Sequence, residues 1–281
     1  MRKFFSIVGV LTLTIVSLIY TNKTIELTKN FDNVMTTIKE VSDDYYVEPI
    51  DGEVIENYFI PGVSGREVNQ NKSYKNMKKF GSFNKNLLEY KEISPNNKLV
   101  DNIDKYIIGG NKNKNNVSLI FLIDDSSDID SCLKILDEKK VSANFFVNIS
   151  WITKNRNKLN ELIKKNYIVG NFDNNINYQK SAFSFVDTLI KDLRKKKYGF
   201  CYLEEENDND LKICSMNNDF TIKPSIIVKN NPLIKIKENV SNGSIISLNC
   251  NKQVIQELPL IINYLSGKGY KIVNLEDLLY E

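Results

Sequence analysis

The chain has 281 residues, of which 42% are hydrophobic and 26% are charged, and this composition excludes intrinsic disorder as its general state. Its formal net charge of +3 gives no argument for nucleic-acid binding, so we expect no nucleic acid among its partners. It contains no histidine, which excludes any metal site or acid–base chemistry that depends on imidazole. The length suits one large domain with a smaller appendage.

The N-terminus has the pattern of a membrane anchor. Arg2 and Lys3 precede an uncharged stretch from Phe4 to Tyr20, whose 17 residues are about the shortest length that spans a bilayer. The basic flank predicts a cytoplasmic N-terminus and an extracytoplasmic remainder. The stretch ends without the small residues of a signal-peptidase site, so we predict an uncleaved signal anchor over residues 1–22. The expected location is the cell membrane, crossed once.

The region after the anchor changes character once before the main domain begins. Residues 23–46 are polar with weak helical spacing and are interpreted as a stalk. Residues 47–112 contain short apolar pieces separated by Pro and Gly turns, which indicates a small subdomain or an ordered linker. A loop of Gly, Asn and Lys near its end leads into residues 113–281.

Four cysteines lie in the part predicted to be outside the cytoplasm, and no two have the C-x-x-C spacing of zinc or thioredoxin sites. An outer compartment permits disulfides. We nevertheless favour small buried thiols, which is a common state of unpaired cysteine. The four residues are Cys132, Cys201, Cys214 and Cys250.

After Asn116 the sequence alternates between strand and helix patterns. Val117–Ile123 is a continuous apolar run, typical of a strand buried on both faces, and Asp128 or the serines before it can cap the next helix. The alternation predicts an α/β fold, with a mainly parallel sheet or barrel and outer helices. Two later helices are predicted from their apolar faces, which are Ala182, Phe185, Val186, Leu189 and Leu193 in one and Val254, Leu258, Ile261, Ile262 and Leu265 in the other.

Three stretches resemble a known family in order and spacing. They are Val117-Ser118-Leu119-Ile120-Phe121 with Val141-Ser142-Ala143-Asn144-Phe145-Phe146-Val147, then Ser150-Trp151 to Ile168-Val169-Gly170-Asn171, and finally Gly243-Ser244-Ile245-Ile246-Ser247-Leu248-Asn249 with Gly269-Tyr270-Lys271-Ile272-Val273. They are similar to the opening strand, the "K-A-T-F-F" strand, the "G-H-E-I-G-N-H" region and the "G-S-I-I-L-L-H" strand of the polysaccharide deacetylase family, also called the NodB-homology domain. The resemblance implies a distorted (β/α) barrel for residues 113–281.

In that family one Asp and two His hold a metal, a second Asp is the base, and a late His is the acid. An alignment without gaps places the two Asp on Leu122 and Ile123, whereas a two-residue slip places them on Asp124 and Asp125. The slip retains an acidic pair at a strand end, where barrel active sites lie. We favour a polar loop that caps the next helix, because the slip would lengthen a strand whose register decides which residues face inward.

The other site positions of the family also differ here. The two His positions carry Phe172 and Ile176, and the position of the late acid carries Asn249. None of these side chains can bind a metal in the manner of imidazole or exchange a proton near neutral pH. Asn171, Asp173 and Trp151 remain as residues of a possible pocket. The family's Arg-Pro motif, expected around residues 200–203, is absent, and we expect neither a metal nor another cofactor.

Three functions are compatible with these observations. In the first, the chain is a membrane-anchored pseudoenzyme that binds cell-wall glycan or an envelope protein. In the second, it is an active deacetylase with a remodelled carboxylate site built from Asp124, Asp125, Asp173 or a Glu. Carboxylates alone suit hard cations such as Mg²⁺ and match zinc chemistry poorly. In the third, it is a structural envelope protein that binds through residues 47–108.

Overall fold

The computed structural model describes residues 11–21, 23, 29, 32–172 and 180–280. Contacts divide these residues into two compact units. The first contains the described residues up to Pro49 together with Ser64–Ile93, and the second contains Ile50–Val63 and the chain from Ser94 onward. The segment 47–112, interpreted from sequence as one subdomain or linker, is thus divided between the two units.

The elements follow one another from an irregular N-terminal region into a regular strand–helix alternation. The strands are β1 (Glu53–Ile55), β2 (Tyr58–Ile60), β3 (Gly65–Val68), β4 (Tyr90–Ile93), β5 (Tyr106–Ile107), β6 (Asn116–Ile123), β7 (Asn144–Val147), β8 (Ile168–Asn171), β9 (Gly199–Tyr202), β10 (Asp219–Ile222), β11 (Ile226–Val228), β12 (Ile245–Asn249) and β13 (Lys271–Ile272). The helices are α1 (Asn33–Val41), α2 (Gln70–Lys78), α3 (Ile129–Lys139), α4 (Ile149–Lys154), α5 (Arg156–Lys164), α6 (Lys180–Arg194), α7 (Asp208–Met216), α8 (Pro232–Asn239), α9 (Lys252–Gly267) and α10 (Leu275–Leu279).

The first unit is a small helical and hairpin structure. Asp32 and Asn69 cap α1 and α2 by accepting hydrogen bonds from backbone N–H groups, and β3 pairs with β4 in antiparallel fashion. Its core consists of Val34, Met35, Ile38, Val68, Tyr74, Met77 and Leu88.

The predicted anchor is only partly covered by the structure. Residues 11–21 are helical, and residues 1–10 lie outside the described residues. Within the part of the chain that the structure describes, no helix has both the length and the apolar character needed to cross a bilayer.

The second unit is an α/β structure, as predicted, and it is built on one curled sheet. Its strand order is β1-β2-β5-β10-β9-β8-β7-β6-β12-β11, with β13 also pairing with β6. All of these pairs are parallel except β1–β2. The apolar run predicted as a central strand is β6, which lies between β7 and β12. The β1–β2 hairpin, which sequence assigned to the small subdomain, extends this sheet instead.

Residues along β6 alternate between two hydrophobic clusters, as expected from the two faces of a strand. Val117, Leu119, Phe121 and Ile123 belong to a helix-side cluster, and Ile120 belongs to an inner cluster with residues of β7, β8, β9 and β10. Leu122 packs against the inner cluster. The sheet therefore has cores on both faces, in agreement with a strand that is apolar throughout.

The structure confirms the predicted buried face of one helix and corrects that of another. All five predicted residues of α9 are buried. In α6, however, Phe185 and Leu193 are 47% and 37% exposed, while Phe183, Val186 and Ile190 are buried. The residues at 183, 186 and 190 also have helical spacing, so two overlapping apolar stripes were present and periodicity alone could not choose between them.

The cysteines divide into two kinds. Cys201 in β9 and Cys214 in α7 form a disulfide, so the prediction of free thiols was wrong for these two. The strand and the helix pack together, which brings the two sulfurs within bonding distance although their sequence spacing matches no motif. Cys132 and Cys250 are buried thiols, as predicted.

A buried amide at Asn144 connects three segments of the second unit. Its Nδ2 donates to Ser118 Oγ at 2.8 Å and to the Leu119 carbonyl at 2.7 Å, and its Oδ1 accepts from the Leu275 N–H at 2.8 Å. Ser118 Oγ in turn donates to the Val273 carbonyl at 2.8 Å. These bonds join β7, β6 and the segment between β13 and α10, and they satisfy both functional atoms of the amide.

Replacing Asn144 by Leu should destabilise the second unit by about 1–3 kcal/mol, because it leaves the Leu275 N–H buried without its side-chain partner. Urea unfolding followed by the fluorescence of Trp151, the single tryptophan and a buried residue of this unit, measures the change. The same substitution at the exposed Asn157 should shift stability by no more than about 0.5 kcal/mol. Equal shifts for the two variants would contradict the role of the network.

A second buried polar group lies where β9 and β10 begin. Asp219 is fully buried, and Lys191 Nζ lies 2.7 Å from Asp219 Oδ1 and 2.9 Å from Asp187 Oδ1. The ammonium is near enough for an ion pair, yet neither oxygen of the Asp219 carboxylate accepts a well-aligned hydrogen bond. Burial, and then the charge of Asp187, raise the pKa of Asp219 to about 8 despite the opposing effect of Lys191.

This raised pKa predicts a stability that falls as the pH rises. Asp219 holds its proton up to a pH of about 8 in the folded chain and only to about 3.8 when unfolded, so the folded state binds more protons between these values. The free energy of unfolding should therefore decrease across this window by up to about 1.4 kcal/mol per pH unit. Asp219→Asn should remove this slope in urea melts, and Asp192→Asn, an exposed change on α6, should retain it. Identical slopes in the two variants would contradict the assignment.

Candidate functional site

The candidate site lies where β6, β7, β8, β9 and β12 end, because parallel strands bring their carboxyl ends to one edge of the sheet. Asn249, Leu122, Phe146 and Gly170 are successive Cα partners across β12, β6, β7 and β8. Two positions that sequence singled out, Leu122 and Asn249, are thus direct neighbours. We call this edge the mouth.

Apolar side chains pack together at the mouth. Phe146 and Phe172 each make an edge-to-face contact with Tyr202, with ring centroids 5.9 Å and 6.1 Å apart, and Leu122 packs beside them. Phe146, Phe172 and Tyr202 are all buried. We refer to these four residues as the apolar plug.

Gly170 is part of the reason that the plug fits. A Cβ at this position would overlap the Phe146 ring, so the close approach of the ring to β8 requires glycine. The sequence motif that ends in Ile168-Val169-Gly170-Asn171 therefore has a packing role here, next to a position where the family carries a metal-binding His.

Tyr202 is the one plug residue with a polar atom. Its Oη accepts a hydrogen bond from Ser247 Oγ at 3.1 Å. Burial raises the pKa of Tyr202 to about 12, although the hydrogen bond from Ser247 opposes the change. A phenol with such a pKa stays protonated near neutral pH and cannot serve as a general base there.

Asp124 and Asp125, the acidic pair of the alignment with a two-residue slip, lie outside the apolar plug. Ile123 packs in the helix-side cluster, and Asp124 and Asp125 follow the end of β6. Asp124 Oδ1 accepts from Ser126 N at 2.9 Å and from Ser126 Oγ at 2.7 Å. Partial burial opposes the shift, but these hydrogen bonds hold the pKa of Asp124 below its usual value.

Asp125 is similarly engaged. Its carboxylate forms an ion pair with Lys154 at 2.5 Å and accepts from Ser150 Oγ at 3.1 Å, and these bonds lower its pKa. The next acidic residue, Asp128, caps α3 by accepting from Ser131 N, as predicted. A general base that acts near neutral pH needs a raised pKa, so this loop is arranged for helix capping and ion pairing.

The structure describes two of the three residues proposed for a pocket, and both are buried. Trp151 is buried in the helix-side cluster, and Asn171 is buried in β8, where its Nδ2 donates to the Phe183 carbonyl at 3.2 Å. Asp173 and Ile176 lie outside the described residues. Asn249 is exposed at the end of β12.

A polar rim follows the ends of β9, β10 and β11, along the same edge of the sheet as the mouth, and sequence reasoning missed most of it. Glu206, after β9, forms an ion pair with Lys223, after β10, and accepts a hydrogen bond from Tyr58 Oη. The Lys223 ammonium lies 5.1 Å from the centroid of the Tyr58 ring. Glu204 forms an ion pair with Lys229, after β11. The run Glu204-Glu205-Glu206 has the sequence pattern of a solvated loop, and no local signal connects it with Tyr58, which lies far upstream.

The donor set does not fit the zinc of the family. Among the residues that the structure describes, no group of three or more Asp, Glu or Cys side chains is placed to hold an ion. The buried carboxylates Asp187 and Asp219 lie at the amino ends of the strands, the edge opposite to the mouth. We therefore derive no reaction step through a bound metal.

Comparison with known proteins agrees with this fold. No family model matches the chain. The YlxY protein of Bacillus subtilis strain 168, described as uncharacterized, is 27% identical over 154 residues, which are 54% of this chain and 48% of YlxY. The chain thus spans about half the length of the curated relative it matches.

Solved structures cover more of the chain. BA3943 of Bacillus anthracis, described as a pseudoenzyme of the CE4 family, has a TM-score of 0.67 at 24% identity over 88% of this chain and 95% of its own. A BA3943 mutant, described as having restored enzymatic activity, has a TM-score of 0.66 at 24% identity over 88% and 98%. The Bc1960 peptidoglycan N-acetylglucosamine deacetylase has a TM-score of 0.54 at 21% identity over 62% and 92%. The chain has the NodB-type fold of the CE4 polysaccharide deacetylases.

Proposed function

We propose that this chain is a degenerate member of the polysaccharide deacetylase family, a membrane-anchored extracytoplasmic protein that binds cell-wall glycan without deacetylating it. The apolar plug carries the proposal. Leu122 and Phe172 occupy positions where the family resemblance expects an Asp and a His, and both pack into the inner cluster. Asn249, at the position of the acid, cannot exchange a proton near neutral pH.

A catalytic zinc ion depends on both coordination by the protein and bound water. A catalytic zinc ion needs about three protein ligands and one open position for water. Apolar side chains supply no ligand, and they cannot hydrogen-bond to the water of a hydrated ion. Asp124 and Asp125 do not replace the missing ligands, because serines and Lys154 already engage their carboxylates.

Glycan binding is supported by the rim and by the relatives. Tyr58, Glu206 and Lys223 present an aromatic ring beside charged groups, and Asn249 is exposed at the end of β12. Sugars offer hydroxyl and amide groups to such polar side chains and C–H faces to aromatic rings. Bc1960, which shares the fold, is named for its action on peptidoglycan N-acetylglucosamine.

We expect no acetate release when the purified full chain is incubated with zinc and either peptidoglycan fragments or chitin oligomers, since the chain has no histidine to bind zinc as members of the family do. Bc1960 assayed in parallel provides the positive control. Release at the level of Bc1960 that disappears on chelation would overturn the proposal of inactivity. In that event Asp124→Asn and Asp125→Asn would show whether the remodelled carboxylate site is responsible.

Calorimetry with the same fragments tests the binding half of this prediction. We expect measurable binding that Asn249→Lys weakens at least several-fold, because the longer charged side chain would project over the mouth. Asn160→Lys adds the same group to the exposed surface of α5 and should leave binding unchanged. Binding that is equal in both variants would exclude the mouth and favour residues 47–108, and no binding at all would favour a protein partner.

The anchor and its orientation form a separate part of the proposal, based on the Arg2-Lys3 flank and the uncharged stretch after it. Protease added to wall-stripped intact cells should degrade residues beyond the stalk, and the N-terminal segment should remain membrane-bound. A protected C-terminal part would overturn the orientation. A mature N-terminus near Thr21 would show that the stretch is a cleaved signal peptide.

A further inference from the structure

The charge of the chain is unevenly distributed, and the first unit contains a basic segment around α2. Residues 69–88 include five lysines and no Asp or Glu. Because the whole chain has a net charge of +3, the remainder is net negative. We call the five lysines the basic face, which consists of Lys72, Lys75, Lys78, Lys79 and Lys85.

The fold of α2 turns these lysines toward solvent. The helix buries Ser73, Tyr74 and Met77 and thereby exposes the opposite side, where Lys72, Lys75 and Lys79 follow one another at helical spacing. None of the ion pairs formed among the described residues involves the basic face. Its positive charge is therefore available to an anionic partner.

A large aromatic side chain stands within this charged surface. Phe80, two residues after the end of α2, is 61% exposed, and the Lys79 ammonium lies 5.0 Å from the centroid of its ring. Gly81 follows with φ of +67° and turns the chain at this point. Lysines around an exposed phenylalanine form a surface that combines positive charge with unburied apolar area.

We propose that the basic face docks on the anionic phospholipid surface of a membrane, with Phe80 inserted at the boundary between headgroups and acyl chains. Lysines near such a surface are attracted to its negative potential. An aromatic ring beside them gains by leaving water for the acyl boundary. A soluble phosphate polymer offers the lysines the same charge but offers Phe80 no apolar medium, so the combination favours lipid. This contact is additional to the N-terminal anchor and independent of glycan binding at the mouth.

The test places a fluorophore at the point of insertion. Phe80→Trp in the full chain is combined by detergent removal with vesicles of phosphatidylcholine, or of equal parts phosphatidylcholine and phosphatidylglycerol. The wild-type chain provides the background, because its single Trp151 is buried. We expect the emission of the introduced indole to shift to shorter wavelength, and to be quenched by lipids brominated on their acyl chains, in the anionic vesicles only.

A matched pair of charge variants in the Phe80→Trp background separates docking from general attraction. One variant changes Lys72, Lys75 and Lys79 to Gln. It should lower the equilibrium constant for insertion of the introduced indole into the anionic surface by about two orders of magnitude, at roughly five-fold per lysine. Lys212, Lys235 and Lys252 are exposed residues of the second unit, and changing them to Gln removes the same charge and should preserve the response. Circular dichroism verifies that both triple variants are folded.

Three outcomes would overturn the proposal. Emission of the introduced indole could be the same in neutral and anionic vesicles, or the response could survive loss of the three lysines of the basic face. Alternatively, soluble poly(glycerol phosphate) could cause the emission shift without vesicles, which would identify a phosphate polymer as the partner. None of these results would affect the prediction that the chain lacks deacetylase activity.

Discussion

The hydrogen bonds of Asn144 set the register on which the second unit depends. They join β7 to β6 and to the first residue of α10, and every bonding group of the amide is satisfied. In a strand, a slip by one residue would exchange the two faces. The network therefore determines that Leu122 and Phe146 belong to the inner side of the sheet, whereas Phe121 and Phe145 pack on the helix side.

The composition of the mouth follows from the same constraint. Once Phe146 and Phe172 surround Tyr202, an ionised carboxylate at the partly buried position of Leu122 would lie against apolar groups and lose part of its hydration. An imidazole beside them would likewise need a metal or a hydrogen-bond partner. Apolar residues at one ligand position thus favour apolar residues at the others. The differences from the family motif at Leu122 and Phe172 are consistent with each other in this physical sense.

The ionisable groups of the second unit are placed accordingly. At the mouth they lie on the rim, where Glu206 is paired with Lys223 and Glu204 with Lys229. The buried pair Asp187 and Asp219 lies at the opposite edge, and Gly199 leaves room for it because a Cβ there would overlap the Asp219 carboxylate. The first unit keeps its lysines on the outer side of α2, away from Tyr74 and Met77. The charged groups of the rim and of α2 therefore lie at surfaces, where a binding partner can reach them.

The sequence by itself determined those features that depend on residue type and local periodicity. The continuous apolar run of β6 predicted a strand buried on both faces, the spacing in α9 predicted its buried face, and the absence of histidine excluded imidazole ligands. The tertiary structure alone decided which of two apolar stripes α6 buries, that Cys201 and Cys214 are bonded, and that the β1–β2 hairpin extends the main sheet. It also brought Phe146, Phe172 and Tyr202 together. These outcomes depend on contacts between segments distant in the chain, and local patterns carry no information about which distant segment a side chain will meet.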